Sequence, residues 1–247
     1  MKTDPLNTLL PFQGLRSAEV AQPLHNGQRR PMVARELSAS QIKRDDVFMF
    51  FSPKEDRRVS VLGPLQLALR LQLEFDPVVA AATERPRSIP VGTEQVELHF
   101  WWQYVGGSEF YALVVPNAQT VPGTDGQRRP RQLDRLQAAA RDASIALKLI
   151  TEDQLKRPEG RTELCYQLLG ICQSARDLGS ALILRNEVAA VVNRSGRITA
   201  NELFGELGHF PQTHVQAALV ELLHIGYLST DANPRMSGRA RVWRAEG

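Results

Sequence analysis

The stretch "HFWWQYVGGSEFYALVVPNA", residues 99–118, is the most hydrophobic part of the chain and restricts how the chain can fold. Two runs of aromatic and β-branched residues flank Gly106 and Gly107, which is the pattern of two antiparallel strands joined by a tight turn. Alternation along the first strand places Trp101 and Trp102 on opposite faces. We therefore expect a β-hairpin within a sheet, with both rings in the core or one of them against a partner.

The segments around this hairpin predict an α/β domain with a mixed sheet over residues 46–157. "VFMFFS" and "RVSVL" predict strands, whereas "GPLQLALRLQLEFDP" predicts a helix because Pro64 suits a first turn and good helix formers follow it. "QLDRLQAAARDASI" predicts an amphipathic helix, and "ALKLITED" predicts a final strand. Residues 1–45 are basic and interrupted by prolines, which predicts an irregular, partly flexible arm.

Residues 161–247 predict a helical and winged-helix domain. Thr199 and Glu202 have the spacing of a capping box that opens a short helix. Pro211 begins a second helix, and "YLST" with "ARVWRA" predicts a hairpin behind it. A short helix, a longer helix and a hairpin after a helical segment are the plan of a winged helix.

Composition limits the classes of function. The 247 residues suit two domains, and a net charge of +3 with a pI near 9.1 is compatible with nucleic-acid binding. The sequence has neither a membrane-length apolar run nor a signal pattern, so we expect a cytoplasmic protein without membrane contact. Cys165 and Cys172 lie two helical turns apart, too far for a disulfide. The histidines do not cluster as metal ligands.

From "RRVSVLGPLQLALRLQLEFDPVV" onward the chain resembles the TnsA-type endonuclease subunits of heteromeric bacterial transposases. The resemblance continues through the glycine-turn hairpin and through "RQLDRLQAAARDASIALKLITEDQLK". It covers residues 55–160 and, in the winged-helix tail, residues 185–244. It implies a restriction-endonuclease-like, PD-(D/E)xK-type domain with a mixed sheet, followed by a C-terminal winged helix.

The catalytic residues of that family are replaced in this chain. Such nucleases hold a divalent metal with a helix carboxylate, a strand Asp and a second strand acid or amide, while a Lys orients the attacking water. These positions fall on Gln66, His99, Leu113 and Val115. A neutral amide, an imidazole and two aliphatic side chains suit Mg²⁺ poorly. The resemblance therefore implies a degenerate site with no catalytic residue, no metal and no cofactor.

Three groups of residues are candidates for DNA contact, because arginines bind phosphates and glutamines bind base edges. They are the loop residues Arg128, Arg129 and Arg131, the helix residues Gln212, Thr213 and Gln216, and the wing residues Arg235, Arg239 and Arg241. The second helix has no Lys or Arg between Pro211 and Tyr227, which is poor for a recognition helix. We therefore expect the winged helix to bind DNA, to dock a protein, or both.

The resemblance implies a catalytically inactive subunit of a DNA transposition complex. Its partners would be DNA, a DDE-type transposase subunit and an AAA+ ATPase regulator of transposition. Two alternatives stay open. One is a winged-helix transcriptional regulator that reads an operator through residues 211–217. The other is an active metal-dependent endonuclease that would use Mg²⁺ at a non-standard site around Glu97 and Glu109.

Overall fold

We describe the chain from a computed structural model, which covers residues 32–123, 127–175 and 181–245. Contacts divide the chain into two compact units. The N-terminal unit holds the described residues up to Leu73 together with Val79–Pro158. The C-terminal unit holds Glu74–Val78 and the described residues from Glu159 onward.

The N-terminal unit contains most of the strands. In chain order its elements are α1 (Ala39–Arg44), β1 (Val47–Ser52), β2 (Arg57–Leu62), α2 (Gly63–Glu74), β3 (Val79–Glu84), β4 (Ser88–Val91), β5 (Glu94–Glu97), β6 (Phe100–Tyr104), β7 (Glu109–Val115), β8 (Thr120–Pro122), β9 (Arg128–Pro130), α3 (Leu133–Asp142), β10 (Leu147–Thr151) and α4 (Glu152–Leu155). The last residue of α2, Glu74, belongs to the C-terminal unit. The predicted strands and helices between residues 47 and 151 are confirmed.

Four of these strands form a mixed sheet in the order β10–β7–β6–β3. Strand β10 runs parallel to β7, and the other neighbours are antiparallel. Strands β6 and β7 are the predicted hairpin, with Trp101 opposite Tyr111. Gly107 in its turn has a φ of 84°, a left-handed conformation that glycine adopts without a steric penalty. The predicted α/β class with a mixed sheet is confirmed.

Both faces of the hairpin are buried. On one face Trp101 is 0% exposed, and it packs in an apolar cluster with Ile89, Val91, Leu98, Tyr111, Leu136 and Ala139. On the other face Trp102 is 1% exposed and lies near the rings of Tyr104 and Phe110. The ammonium of Lys148 sits 4.0 Å from the Phe110 ring centroid. The alternative in which one tryptophan lies against a partner is therefore wrong, because both rings belong to the core.

Three elements differ from the sequence prediction. The prediction of an irregular arm is wrong for Ala39–Arg44, which form α1. The Ser38 side chain and Gln41 form a capping box at the start of this helix. Residues 1–31 of the predicted arm lie outside the described residues. The short pairs β4–β5 and β8–β9 were not predicted, because Pro90, Pro122 and Pro130 weaken the strand pattern.

The C-terminal unit is mostly helical and carries one small sheet. Its elements are α5 (Arg161–Ala175), α6 (Ala181–Ser195), β11 (Arg197–Thr199), α7 (Ala200–Glu206), α8 (Gln212–His224), β12 (Leu228–Thr230) and β13 (Arg241–Arg244). The strands are antiparallel in the order β11–β13–β12. The capping box of Thr199 and Glu202 is confirmed, as are the two helices and the hairpin that follow it. Strand β11 is an addition that the pattern did not predict.

Helix α8 is buried on most sides, and only Gln212 and Thr213 along it are exposed. At its C-terminal end His224 Nε2 lies 3.0 Å from Glu74 Oε1. The His224 ring also meets Phe75 edge-on, with a centroid distance of 5.2 Å. A β-carbon on Gly226 would collide with Pro77. The segment Glu74–Val78 thus covers the end of this helix.

The two cysteines are free and buried, as predicted. Burial raises the pKa of Cys165 to about 11 and that of Cys172 to about 12. The thiolate is the nucleophile and the metal ligand, so both side chains act as small apolar groups of the helical core.

We expect His224→Ala to lower the free energy of unfolding by about 2 kcal/mol, because the fully buried Glu74 loses one of its interactions. Urea denaturation of the full chain measures the loss. The matched control is Gln212→Ala on the exposed first turn of the same helix, which should stay within about 0.5 kcal/mol of the wild type. Equal losses in both variants would contradict the role of the pair.

Candidate nucleic-acid interface

Three of the four positions that the resemblance assigns to metal chemistry serve the fold. Gln66 lies in the first turn of α2, and its Oε1 accepts a hydrogen bond from the Leu62 N–H at 3.3 Å. Leu113 packs against the apolar cluster around Trp101. Val115 is 3% exposed. The two aliphatic side chains on β7 offer no oxygen to a metal, and the amide on α2 is used locally.

His99, the fourth position, extends the pairing between β6 and β7. Its backbone N–H donates to the Ala112 carbonyl at 2.9 Å, and its Nδ1 accepts from the Val114 N–H at 3.0 Å. An accepting Nδ1 means a neutral imidazole with its proton on Nε2. Burial lowers the pKa of His99 to about 4. The imidazole therefore acts as a strand-end acceptor, and a metal on Nδ1 would break this bond.

The alternative site at Glu97 and Glu109 does not assemble. Glu97 accepts a hydrogen bond from Gln41 Nε2 at 3.0 Å, before β6 begins. Glu109 pairs with Gln103 at the other end of β6 and accepts from Trp101 Nε1 at 3.3 Å. The length of β6 separates the two carboxylates, so the expected approach across the hairpin is wrong. Within the described residues, no three His, Cys, Asp or Glu side chains are grouped as a metal ion would require.

A buried ion cluster that the sequence reasoning missed lies beside β3. Arg57 donates to both carboxylate oxygens of Glu84, at 2.7 and 2.6 Å, and its Nε donates to Glu55 at 2.7 Å. Burial alone would raise the pKa of Glu84, but the hydrogen bonds and charge of Arg57 outweigh it and hold that pKa below its usual range. Glu84 is therefore ionised and paired with the Arg57 guanidinium, which also contacts Glu55. The closely spaced charges in "KEDRR" were the available signal.

The predicted basic loop contains one structural arginine and two exposed ones. Arg128 is partly buried, with Nε donating to Thr120 Oγ1 at 2.6 Å and Nη2 donating to the Asn117 carbonyl at 3.2 Å. Arg129 and Arg131 are exposed. Arg128 therefore holds the β8–β9 hairpin in place, and its two neighbours remain candidates for phosphate contact.

The three polar candidates of α8 differ in exposure. Gln212 and Thr213 are exposed in the first turn, while Gln216 is only partly exposed between buried neighbours. A recognition helix must present a face along which side chains reach base edges. Along α8, only the first turn is exposed enough to do so.

The predicted wing is the loop between β12 and β13, and it carries exposed arginines. Arg235 and Arg239 are exposed on either side of Met236, which is 7% exposed. The backbone N–H of Met236 donates to Gln167 Oε1 at 2.8 Å. In the described part of the chain, neither arginine has an ion-pair partner. The buried methionine thus anchors a loop in which the flanking residues Arg235 and Arg239 are exposed.

The small sheet adds further cations to this region. Arg241 is exposed on β13, and the Arg244 guanidinium lies 5.5 Å from the Tyr227 ring centroid. Arg197 on β11 forms an ion pair with Asp231 at 3.1 Å. One acid therefore offsets part of the charge, and the surface around β13 keeps a positive excess.

No family model and no curated protein matches this chain. Among the residues that the structure describes, no helix is long and apolar enough to cross a membrane.

We expect stability to fall by roughly 3 kcal/mol as the pH drops from about 6.5 to about 4 because of His99, whose pKa is about 4 in the folded chain and about 6.5 when unfolded. The unfolded chain takes up the proton first, so the contribution is complete above pH 6.5. The variant His99→Gln offers a non-titrating acceptor and should flatten this part of the profile. Thermal unfolding across the range measures it. The exposed His209→Gln is the control and should leave the slope unchanged, and an unaltered slope in His99→Gln would contradict the assignment.

Proposed function

We propose that this chain is a TnsA-like, non-cleaving subunit of a DNA transposition complex. It combines a restriction-endonuclease-like domain over residues 46–157 with a helical and winged-helix domain over residues 161–247. It acts in the cytoplasm, binds DNA, and docks a DDE-type transposase subunit and an AAA+ ATPase regulator.

One observation carries this proposal: the hairpin that should hold the metal is part of the core. His99 gives its Nδ1 lone pair to the β7 backbone, and Leu113 and Val115 contribute aliphatic surface to the packing. Ionised ligands in such a place would need a metal or a cationic partner, because an unpaired buried charge is strongly destabilising. The nuclease-like sheet is therefore best suited to a scaffold role.

The wing supports DNA binding without sequence reading. Arg235, Arg239 and Arg241 are exposed, and phosphate contacts supply most of the affinity of non-specific complexes. The burial of α8 counts against an operator-reading regulator, because residues 214–217 are buried or only partly exposed. This alternative therefore has less support than the transposition subunit.

Exposed apolar side chains in the C-terminal unit support protein docking. Leu182 and Ile183 at the start of α6 are 64% and 61% exposed, and Tyr166 on α5 is 63% exposed. Large apolar side chains on a surface are typical of regions that meet another protein. They suit the proposed contact with the transposition machinery.

We expect no metal-dependent nicking by the purified chain on transposon-end DNA, in Mg²⁺ or in Mn²⁺, because Leu113 and Val115 offer no ligand and the Nδ1 of His99 already accepts the Val114 N–H. A supercoiled-plasmid and labelled-end nicking assay, with and without the transposase, is the measurement. Cleavage that disappears in the His99→Gln variant would contradict the proposal, since it would make the hairpin an active centre.

We expect the double variant Arg235→Ala/Arg239→Ala to reduce the slope of log K against log salt by about 2 for duplex DNA, as two lost phosphate contacts require. Fluorescence anisotropy over a salt series measures this slope. Arg194→Ala is the control: this exposed arginine already pairs with Glu206, and its loss should leave the slope unchanged. Binding that depends on base sequence and is lost in Gln212→Ala would favour the regulator instead.

A further inference from the structure

A second group of arginines lies in the N-terminal unit, on the stretch that joins β9 to α3. Arg129, Arg131 and Arg135 are all exposed there, and we call them the β9–α3 arginine patch. The first two are DNA-contact candidates predicted from the sequence, whereas Arg135 lies in the predicted amphipathic helix. On that helix Leu136, Ala139 and Ala140 form the buried side, so the exposed side carries Arg135.

The backbone beneath the patch is held in place by hydrogen bonds. The Arg131 N–H donates to the Gln119 carbonyl at 3.0 Å. Arg129 stands opposite Val121 in the β8–β9 pair, and Arg128 ties the same hairpin to Thr120. These hydrogen bonds fix the backbone that carries Arg129 and Arg131. Arg128 is a positioning residue, because it joins β9 to β8.

The guanidinium of Arg135 lies against the turn between β4 and β5. A β-carbon on Gly92 would collide with the Nη2 atom of Arg135. The guanidinium can occupy this position because residue 92 has no side chain. Gly92 has a φ of 64°, the left-handed region that favours glycine. A flexible surface side chain therefore has a defined position, which reduces the entropy lost when it binds a ligand.

Charge in this stretch is strongly one-sided. Residues 127–135 contain four arginines and one acid, Asp134. In the ranges 32–123, 127–175 and 181–245, no carboxylate lies within ion-pair distance of Arg131 or Arg135. The stretch also has no aromatic side chain, although aromatic anchors are enriched at the centre of protein interfaces. These features favour a polyanion over a protein surface.

We propose that the β9–α3 arginine patch is a second DNA-contact surface, which binds the phosphate backbone of duplex DNA and reads no base sequence. The proposal rests on the proposed function for the identity of the polyanion, but it concerns a different unit from the wing. Arg131 and Arg135 are the contacting pair, since both residues are exposed and neither is neutralised by a carboxylate in the described residues.

The test compares three variants of the full chain on a labelled random-sequence duplex over about 50 to 200 mM salt. We expect Arg131→Ala/Arg135→Ala to weaken binding roughly tenfold or more and to lower the salt slope by about 2, one for each lost contact. Arg131→Lys/Arg135→Lys should keep the slope, because lysine also neutralises phosphate. Arg141→Ala, an exposed arginine in the last turn of the same helix, is the charge-matched control and should leave the slope at its wild-type value.

Two results would overturn the inference. One is an unchanged salt slope in Arg131→Ala/Arg135→Ala while Arg235→Ala/Arg239→Ala still lowers it, which leaves the proposed DNA binding intact and removes the patch. The other is competition by poly-glutamate as strong as that by DNA, which would make the patch a site for acidic protein segments. If the wild-type chain binds no duplex DNA at all, the proposed function fails together with the patch.

Discussion

The structure of the N-terminal unit depends on the burial of both faces of the β6–β7 hairpin. Trp101 and Trp102 point to opposite sides, and each is almost completely covered. A strand pair buried on both faces must satisfy its polar groups within the protein. His99 does so by accepting the Val114 N–H, and the neutral state that this requires matches its lowered pKa. The same constraint explains why Leu113 and Val115 suit the hairpin better than carboxylates would.

The cations of the chain have distinct tasks that the sequence alone does not separate. Arg57 forms hydrogen bonds with two buried acids, Glu55 and Glu84. Arg128 donates a hydrogen bond to Thr120 and stabilises the β8–β9 hairpin. Exposed arginines of the wing and of the β9–α3 arginine patch are candidates to meet a polyanion. The net charge of +3 does not show which of the arginines are exposed.

Sequence patterns predicted the structural elements that are determined by residues close together in the chain. The hairpin around Gly106-Gly107, the helix after Pro64 and the capping box of Thr199 and Glu202 each depend on a few neighbouring residues, and each is present. Contacts between distant residues were not predictable in this way. Glu74 meets His224 across 150 positions, and Arg57 meets Glu84 across 27. Helix α8 packs against α5 and α6, and Glu74–Val78 covers its C-terminal end, so the second helix of the predicted winged helix is largely buried.

We propose that the β6–β7 hairpin serves packing and holds no metal, and that the chain binds DNA. Mn²⁺ titration followed by electron paramagnetic resonance, on the full chain in the presence of duplex DNA, tests this claim most directly. The account predicts no Mn²⁺ bound beyond the amount that the same DNA binds by itself. One additional ion per chain, lost in His99→Gln or in Glu84→Gln, would contradict it.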